Sequence, residues 1–209
     1  MVIIDEAHNL MDAIAGIYSV SVTLKQAQEA RTQLTVYLQK FRNKLKGKNR
    51  VYVAQILRLL DSIIAFLQTK ASQAEATDGV VDTATLLTGN GLNQINVYKL
   101  NAYLQESRLA RKVDGYTTYS AQPQGSDRKH GGDRAPKQTI PVLTQVQSFL
   151  MALMNPSDEG RFFFSSEESS SITLKYMLLD PTFHFKDVVE DARAVVLAGG
   201  TMSPVSQQG

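Results

Sequence analysis

Residues 2–9 read Val2-Ile3-Ile4-Asp5-Glu6-Ala7-His8-Asn9. The run Val2-Ile3-Ile4 is unbroken and β-branched, as in a strand buried on both faces of a parallel sheet. The acidic pair Asp5-Glu6 then falls at the strand's carboxyl end, the edge where open α/β sheets place their ligands. Two adjacent carboxylates there suit metal-assisted phosphate chemistry. One holds Mg²⁺, and the other orients or deprotonates an attacking water. A strand followed by a solvated acidic turn has the same sequence, so this stretch alone does not choose.

The far end of the chain bears on the choice. Residues 194–204 read Ala194-Val195-Val196-Leu197-Ala198-Gly199-Gly200-Thr201-Met202-Ser203-Pro204. This predicts a second apolar strand, closed by two glycines that let the backbone turn sharply and approach another group. Thr201 and Ser203 then place hydroxyls at the same kind of strand end as the acidic pair. Alone, Gly-Gly-Thr is an ordinary loop. Beside an earlier strand that ends in two carboxylates, it has the make-up of half of a nucleotide-driven motor.

These segments resemble the XPD-like, iron–sulphur-containing DNA helicases of superfamily two. Val2 to Leu10 is similar to their Walker B element, the DEAH box, and Ala198 to Pro204 to their motif III. Ile95-Asn96-Val97-Tyr98-Lys99-Leu100, followed by Ser107-Arg108 and Arg111-Lys112, resembles the branch containing the helicase of sister-chromatid cohesion. So does Leu178-Leu179-Asp180-Pro181, with Phe185 and Val188-Val189 ahead of Ala192-Arg193-Ala194-Val195-Val196. The Ala-Gly-Gly-Thr-Met form of motif III favours that branch, and the resemblance covers nearly the whole chain.

The resemblance implies a partial α/β RecA-like motor domain carrying a large, mainly helical Arch-type insertion. It implies ATP-driven 5′ to 3′ DNA unwinding in repair, replication or chromatid cohesion, in the nucleus, with single-stranded or forked DNA as partner and replication or cohesion proteins alongside. Asp5 would hold Mg²⁺ through water and Glu6 would activate the hydrolytic water. His8 would link the nucleotide site to Gly199, Gly200, Thr201 and Ser203, which couple hydrolysis to the grip on DNA. Such helicases carry a 4Fe-4S cluster on four cysteines between their phosphate-binding loop and the DEAH box. This chain has no cysteine and no Gly-x-x-x-x-Gly-Lys-[Ser/Thr] loop to cradle ATP phosphates. The expectation is therefore a fragment running from motif II to motif III, inactive as an ATPase by itself. Two other readings stay open: a non-catalytic DNA- or protein-binding module, and a metal hydrolase built on Asp5, Glu6 and His8. The hydrolase would need further ligands, and only His130 and His184 remain.

Composition narrows the classes. At 209 residues and 43% hydrophobic content the chain can bury a real core. No uninterrupted apolar run approaches the ~18 residues of a membrane span, so no membrane partner is expected. No secretory signal opens the chain. Net charge is only +2, but it is unevenly spread. Lys40, Arg42, Lys44, Lys46, Lys48 and Arg50 stand together with no acid among them, whereas residues 158–191 hold eight acids against three bases. The basic run fits nucleic-acid phosphates. It also fits a solvated helix end stopping at Gly47, where cations favour the C-terminal dipole.

Between the end strands the pattern is helical. Leu34, Tyr37, Leu38, Phe41 and Leu45 repeat at three- and four-residue steps within a helix expected over Asp12 to about Leu45. Val53, Ile56, Leu57, Leu60, Ile63, Ile64 and Leu67 make a second stripe. Thr69–Gly79 reads as a loop and 117–139 as a disordered surface loop lacking large aliphatics. Tyr116 and Tyr119 at its edge suit either base stacking or tethering. Pro141 suits a helix's first turn; Arg161–Ser165 and Ile172–Leu179 read as a strand pair, and Phe185–Ala192 as a short helix. Nearly 190 residues separate the two end strands, far more than a crossover requires. The predicted division is motor domain over 1–18, helical insertion over 19–140 and return to the motor domain over 141–209.

Overall fold

The computed structural model describes residues 1–72, 78–87, 92–120, 141–154, 158–166 and 172–199. In chain order its elements are β1 (Val2–Ile4), α1 (Leu10–Tyr18), β2 (Val20–Thr23), α2 (Leu24–Phe41), α3 (Gly47–Ser72), β3 (Gly79–Val81), α4 (Thr83–Leu87), α5 (Val97–Ser107), α6 (Leu109–Ser120), α7 (Val142–Met154), β4 (Gly160–Ser166), β5 (Ile172–Leu178), α8 (Thr182–Asp191) and β6 (Val195–Leu197). Single 3₁₀ turns lie at Ala7–Asn9 and Leu92–Gln94. The chain divides into two compact units, whose described residues are 1–19, 158–161 and 177–199 in the first and 20–154 and 162–176 in the second.

In the first unit β1 and β6 pair in parallel, with Val2 opposite Val195, Ile3 opposite Val196 and Ile4 opposite Leu197. The long sequence separation between the two end strands thus closes into direct neighbours. Helix α1 packs near α8, and the rings of Tyr18 and His184 stack 3.9 Å apart. His184 lies inside α8 rather than ahead of it. Burial departs from expectation. Ile3 is 64% exposed and Val196 and Leu197 are each 46% exposed, because a two-stranded sheet has no further layers to cover its faces.

The second unit holds one continuous core. Thr23 starts α2 with a capping box: the Gln26 amide N–H donates to Thr23 Oγ1 (3.2 Å), and the Thr23 N–H donates to Gln26 Oε1 (2.9 Å). Ala27, Ala30, Leu34 and Tyr37 turn inward from α2, and Val53, Ile56, Leu59, Leu60, Ile63, Ile64 and Leu67 from α3, at the spacing of one helical face. An Arg31–Asp61 ion pair ties the two helices on their outer side. A four-stranded sheet in the order β2-β5-β4-β3 lies against the helices. Phe149 of α7 meets Phe162 of β4 edge-on at 5.7 Å, and Phe66 of α3 meets Phe164 at 6.3 Å. On β5, Ile172, Leu174, Tyr176 and Leu178 are buried in strict alternation.

Several boundaries move. The helix expected from Asp12 to Leu45 is broken by β2, whose Val20 and Val22 register against Tyr176 and Leu174. Gly47 opens α3 instead of closing α2. Residues 117–120, expected in a loop, form the last turn of α6 because Val113 and Tyr116 pack inward; the rest of that loop, with His130, lies outside the described residues. The helical insertion does not end at 140. Helix α7, the greater part of β4 and β5, and β2 belong to the same unit as α2 and α3, since Leu143, Val146, Phe149 and Leu150 fill its core. Averaged along its length, α3 is also long and apolar enough to cross a membrane by length and composition, although no uninterrupted apolar run suggested it. Its apolar stripe is spent in the core.

Candidate functional site

The turn after β1 gathers three of the expected catalytic side chains. Asp5, Glu6 and His8 are exposed, while Ala7 between them is buried. Glu6 sits in the left-handed region (φ 51°, ψ 40°), a conformation that costs a non-glycine residue about 1 kcal/mol or more. Local bonds hold it there. The Glu6 N–H donates to Asp5 Oδ1 at 2.9 Å, and His8 Nδ1 lies 3.1 Å from Glu6 Oε2. The Ala7 N–H donates to the Ala198 carbonyl and the Ala198 N–H to the Ile4 carbonyl, each at 2.8 Å. The acidic turn is therefore bonded to the strand end that leads into Gly199. Gly200, Thr201 and Ser203 lie outside the described residues, so their expected place opposite the acidic turn is not drawn.

One exposed carboxylate with a second beside it suits Mg²⁺, which takes one or two protein carboxylates and fills its remaining positions with water and phosphate oxygens. It does not suit a zinc-type hydrolase. Among the described residues no three His, Cys, Asp or Glu side chains converge, and His184 is engaged with Tyr18. The chain has no cysteine, so no iron–sulphur cluster is ligated within it.

The basic run occupies the α2–α3 turn of the second unit. Lys40, Arg42, Lys44, Lys46, Lys48 and Arg50 are all exposed. Lys40 stands in the last turn of α2, where its charge complements the helix dipole. Lys46, Lys48 and Arg50 instead surround the start of α3, whose first turn carries no acid; there the charges oppose the dipole. The helix-end explanation thus accounts for Lys40 and fails for the other three. Arg42 and Arg50 border an open groove of about 690 Å³ floored by Leu38, Val51 and Ala54. Tyr116 packs edge-on against Tyr37 (6.4 Å) and Phe41 (5.2 Å), a tether rather than a free stacking face.

A second groove, of about 430 Å³, went unforeseen in the sequence. Lys48, Asn49 and Tyr52 of α3 face Lys99, Ala102, Tyr103 and Glu106 of α5 across it. Its residues lie some fifty positions apart, so no local motif marks it.

Comparison with known proteins places this geometry. No family model matches the chain. The ATP-dependent DNA helicase chl1 of Aspergillus niger is 56% identical to it over 206 residues, 99% of this chain and 23% of the relative. Its counterpart in Coccidioides immitis is 54% identical over the same shares, and that of Schizosaccharomyces pombe is 39% identical over 97% of this chain and 25% of its own length. The chain belongs to this XPD-like helicase family. It spans about a quarter of the length of the curated relatives it matches. It is a mostly helical segment with a small sheet, on which the helicase family's acidic turn is exposed.

Proposed function

We propose that this chain is the part of an ATP-dependent DNA helicase that carries the hydrolytic carboxylates and the route from them to the DNA grip. The observation that carries the reading is the pair of 2.8 Å backbone bonds joining the Asp5-Glu6-Ala7 turn to Ala198. Glu6, held by His8, takes the proton of the water that attacks the terminal phosphate. Asp5 would hold Mg²⁺ through water; that ion, when bound, neutralises charge on the phosphate oxygens. His8 transmits the state of the acidic turn to Gly199, Gly200, Thr201 and Ser203. The first unit is part of a RecA-like motor domain, and the second is its Arch-type insertion. Its exposed basic turn (Lys40, Arg42, Lys44, Lys46, Lys48 and Arg50) contacts the phosphates of single-stranded or forked DNA. A nuclear protein that moves 5′ to 3′ and works with replication or cohesion proteins fits this reading. So does a 4Fe-4S cluster ligated elsewhere in the whole protein.

The test is Glu6→Gln in the full-length protein. Loss of a general base costs about 10²- to 10⁴-fold in rate, so ATP turnover should fall that far while nucleotide binding persists. Undiminished turnover would remove Glu6 from the mechanism. As a separate polypeptide the chain is expected to act as a binding module, since its sequence has no phosphate-cradling glycine loop. Titration with ATP should then show no saturable binding.

A further inference from the structure

We infer that the groove between α3 and α5 seats a segment of single-stranded nucleic acid, with Lys48 and Lys99 on its phosphates and the Tyr52 ring against a base. This deepens, and rests on, the DNA-binding reading of the basic turn. The groove's volume of about 430 Å³ is within the range of small-ligand sites. Its two walls come from different helices, and each contributes one exposed lysine. Between them the rings of Tyr52 and Tyr103 stack at 4.6 Å and 23°, so the floor is a fixed aromatic surface. Lys48 Nζ lies 5.9 Å from the Tyr52 ring centroid, which joins the aromatic floor to the cationic rim. Glu106 also lines the groove and offsets one of the two lysines locally. Net attraction therefore depends on the neighbouring Lys46 and Arg50, beside which Lys48 stands in the chain.

Charge and aromatic surface together select the strand type. Phosphates alone would satisfy the lysines equally well in a duplex. An aromatic floor adds affinity only where a base offers its face, which happens in an unpaired strand. An acidic peptide would use the lysines and leave the ring surface without a planar partner. The observations thus favour an unpaired strand over both alternatives.

The test uses the 209-residue chain and fluorescein-labelled oligo-dT of fifteen nucleotides, followed by anisotropy across a salt series. Each phosphate contact to a single strand contributes about 0.7 to the slope of log K against log salt. The double variant Lys48→Gln/Lys99→Gln should therefore flatten the slope by about 1.4. Tyr52→Leu should weaken binding about fivefold or more at fixed salt and leave the slope alone. Both should melt like the parent chain by circular dichroism; should Tyr52→Leu melt lower, photocrosslinking of 5-iodouracil in the oligonucleotide to Tyr52 of the parent chain replaces it. Lys175→Gln, on β5, should change neither quantity. An unchanged slope in the double variant overturns the groove assignment. If Arg42→Gln/Lys44→Gln still flattens the slope in that case, the basic turn stands without the groove. Equal dependence on Tyr52 for a blunt duplex of the same length overturns the single-strand choice. No binding of oligo-dT at all overturns groove and basic turn together, leaving the helicase reading to the Glu6→Gln assay.

Discussion

Replacing Lys46, Lys48 and Arg50 by glutamine should stabilise the chain while weakening its hold on nucleic acid. The start of α3 presents unsatisfied N–H groups with a partial positive charge. Arg50 donates its own N–H to the Lys46 carbonyl at 3.1 Å, which places Lys46 at the cap and the other two within the first turn. Each misplaced cation costs about 0.3–1 kcal/mol at low salt, so the triple variant should gain about 1–3 kcal/mol. For a chain of this size each kcal/mol moves Tm by about 2–4 °C, and the expected rise is at least that much. The assay is thermal unfolding by circular dichroism at low and high salt; the gain should shrink as the Debye length falls from about 10 Å at 0.1 M to about 3 Å at 1 M. Lys40→Gln is the internal control with opposite sign, because Lys40 complements the α2 dipole. The same triple variant should flatten the salt dependence of oligonucleotide binding by about 2. A lower Tm at low salt would refute the dipole argument. A higher Tm with unaltered binding would mean that the three cations are tolerated for some reason other than nucleic acid.

Two further outcomes follow from packing and charge. Leu60 is wholly buried in the α3 stripe, so Leu60→Ala should cost about 2–5 kcal/mol in urea denaturation, and a loss under 1 kcal/mol would contradict its place in the core. Burial raises the Asp114 carboxyl above its ordinary value, partly offset by bonds from the Thr144 hydroxyl and the Leu143 backbone. The folded state then holds the proton more tightly than the unfolded one, so stability is fullest below the ordinary carboxylate value of about 4 and falls as pH rises through the higher folded value. Asp114→Asn should remove that decline: its Tm advantage over the parent should be present at pH 7 and close toward pH 3, and a gap that widens on acidification would reverse the sign.

The parts of this fold legible in sequence were those with local periodicity. The stripe from Val53 to Leu67 and the alternation from Ile172 to Leu178 each declare their element, because burial on one face repeats at the period of the backbone. β2 was hidden because Val20-Ser21-Val22-Thr23 is too short to outweigh the helical residues after it. Its end was nonetheless written in the Thr23-x-x-Gln26 capping box. β3 was missed for a similar reason: three residues pair only because β4 is already in place. The acidic turn was legible as chemistry, through residue type and position after an apolar run. Its left-handed Glu6 was not, since only the bonds to Asp5 and His8 and the pinning of Ala7 by Ala198 make that conformation affordable. The α3–α5 groove was invisible because Tyr52 and Tyr103 meet only through tertiary packing.

The two units differ in a way that bears on how the chain should be handled. The second unit buries residues such as Leu34, Ile63, Phe149 and Leu174 almost completely. The first buries only Ala7 and Leu178 among its described apolar residues, leaving Ile3, Ile17, Phe183, Val196 and Leu197 open. Parallel strands are stable when covered on both faces, so β1 and β6 depend on layers that the first unit does not supply. In the isolated chain, amide hydrogen exchange should therefore be fast at Ile4 and Ala198, whose bonds open in a low-energy local fluctuation. Amides in the middle of α3, such as that of Leu60, should be protected by the whole unfolding energy of their unit. In full-length protein the Ile4 and Ala198 amides should slow by orders of magnitude. Equal protection of Ala198 and Leu60 in the isolated chain would mean that the two-stranded sheet is self-sufficient, and the acidic turn could then be studied without the rest of the motor.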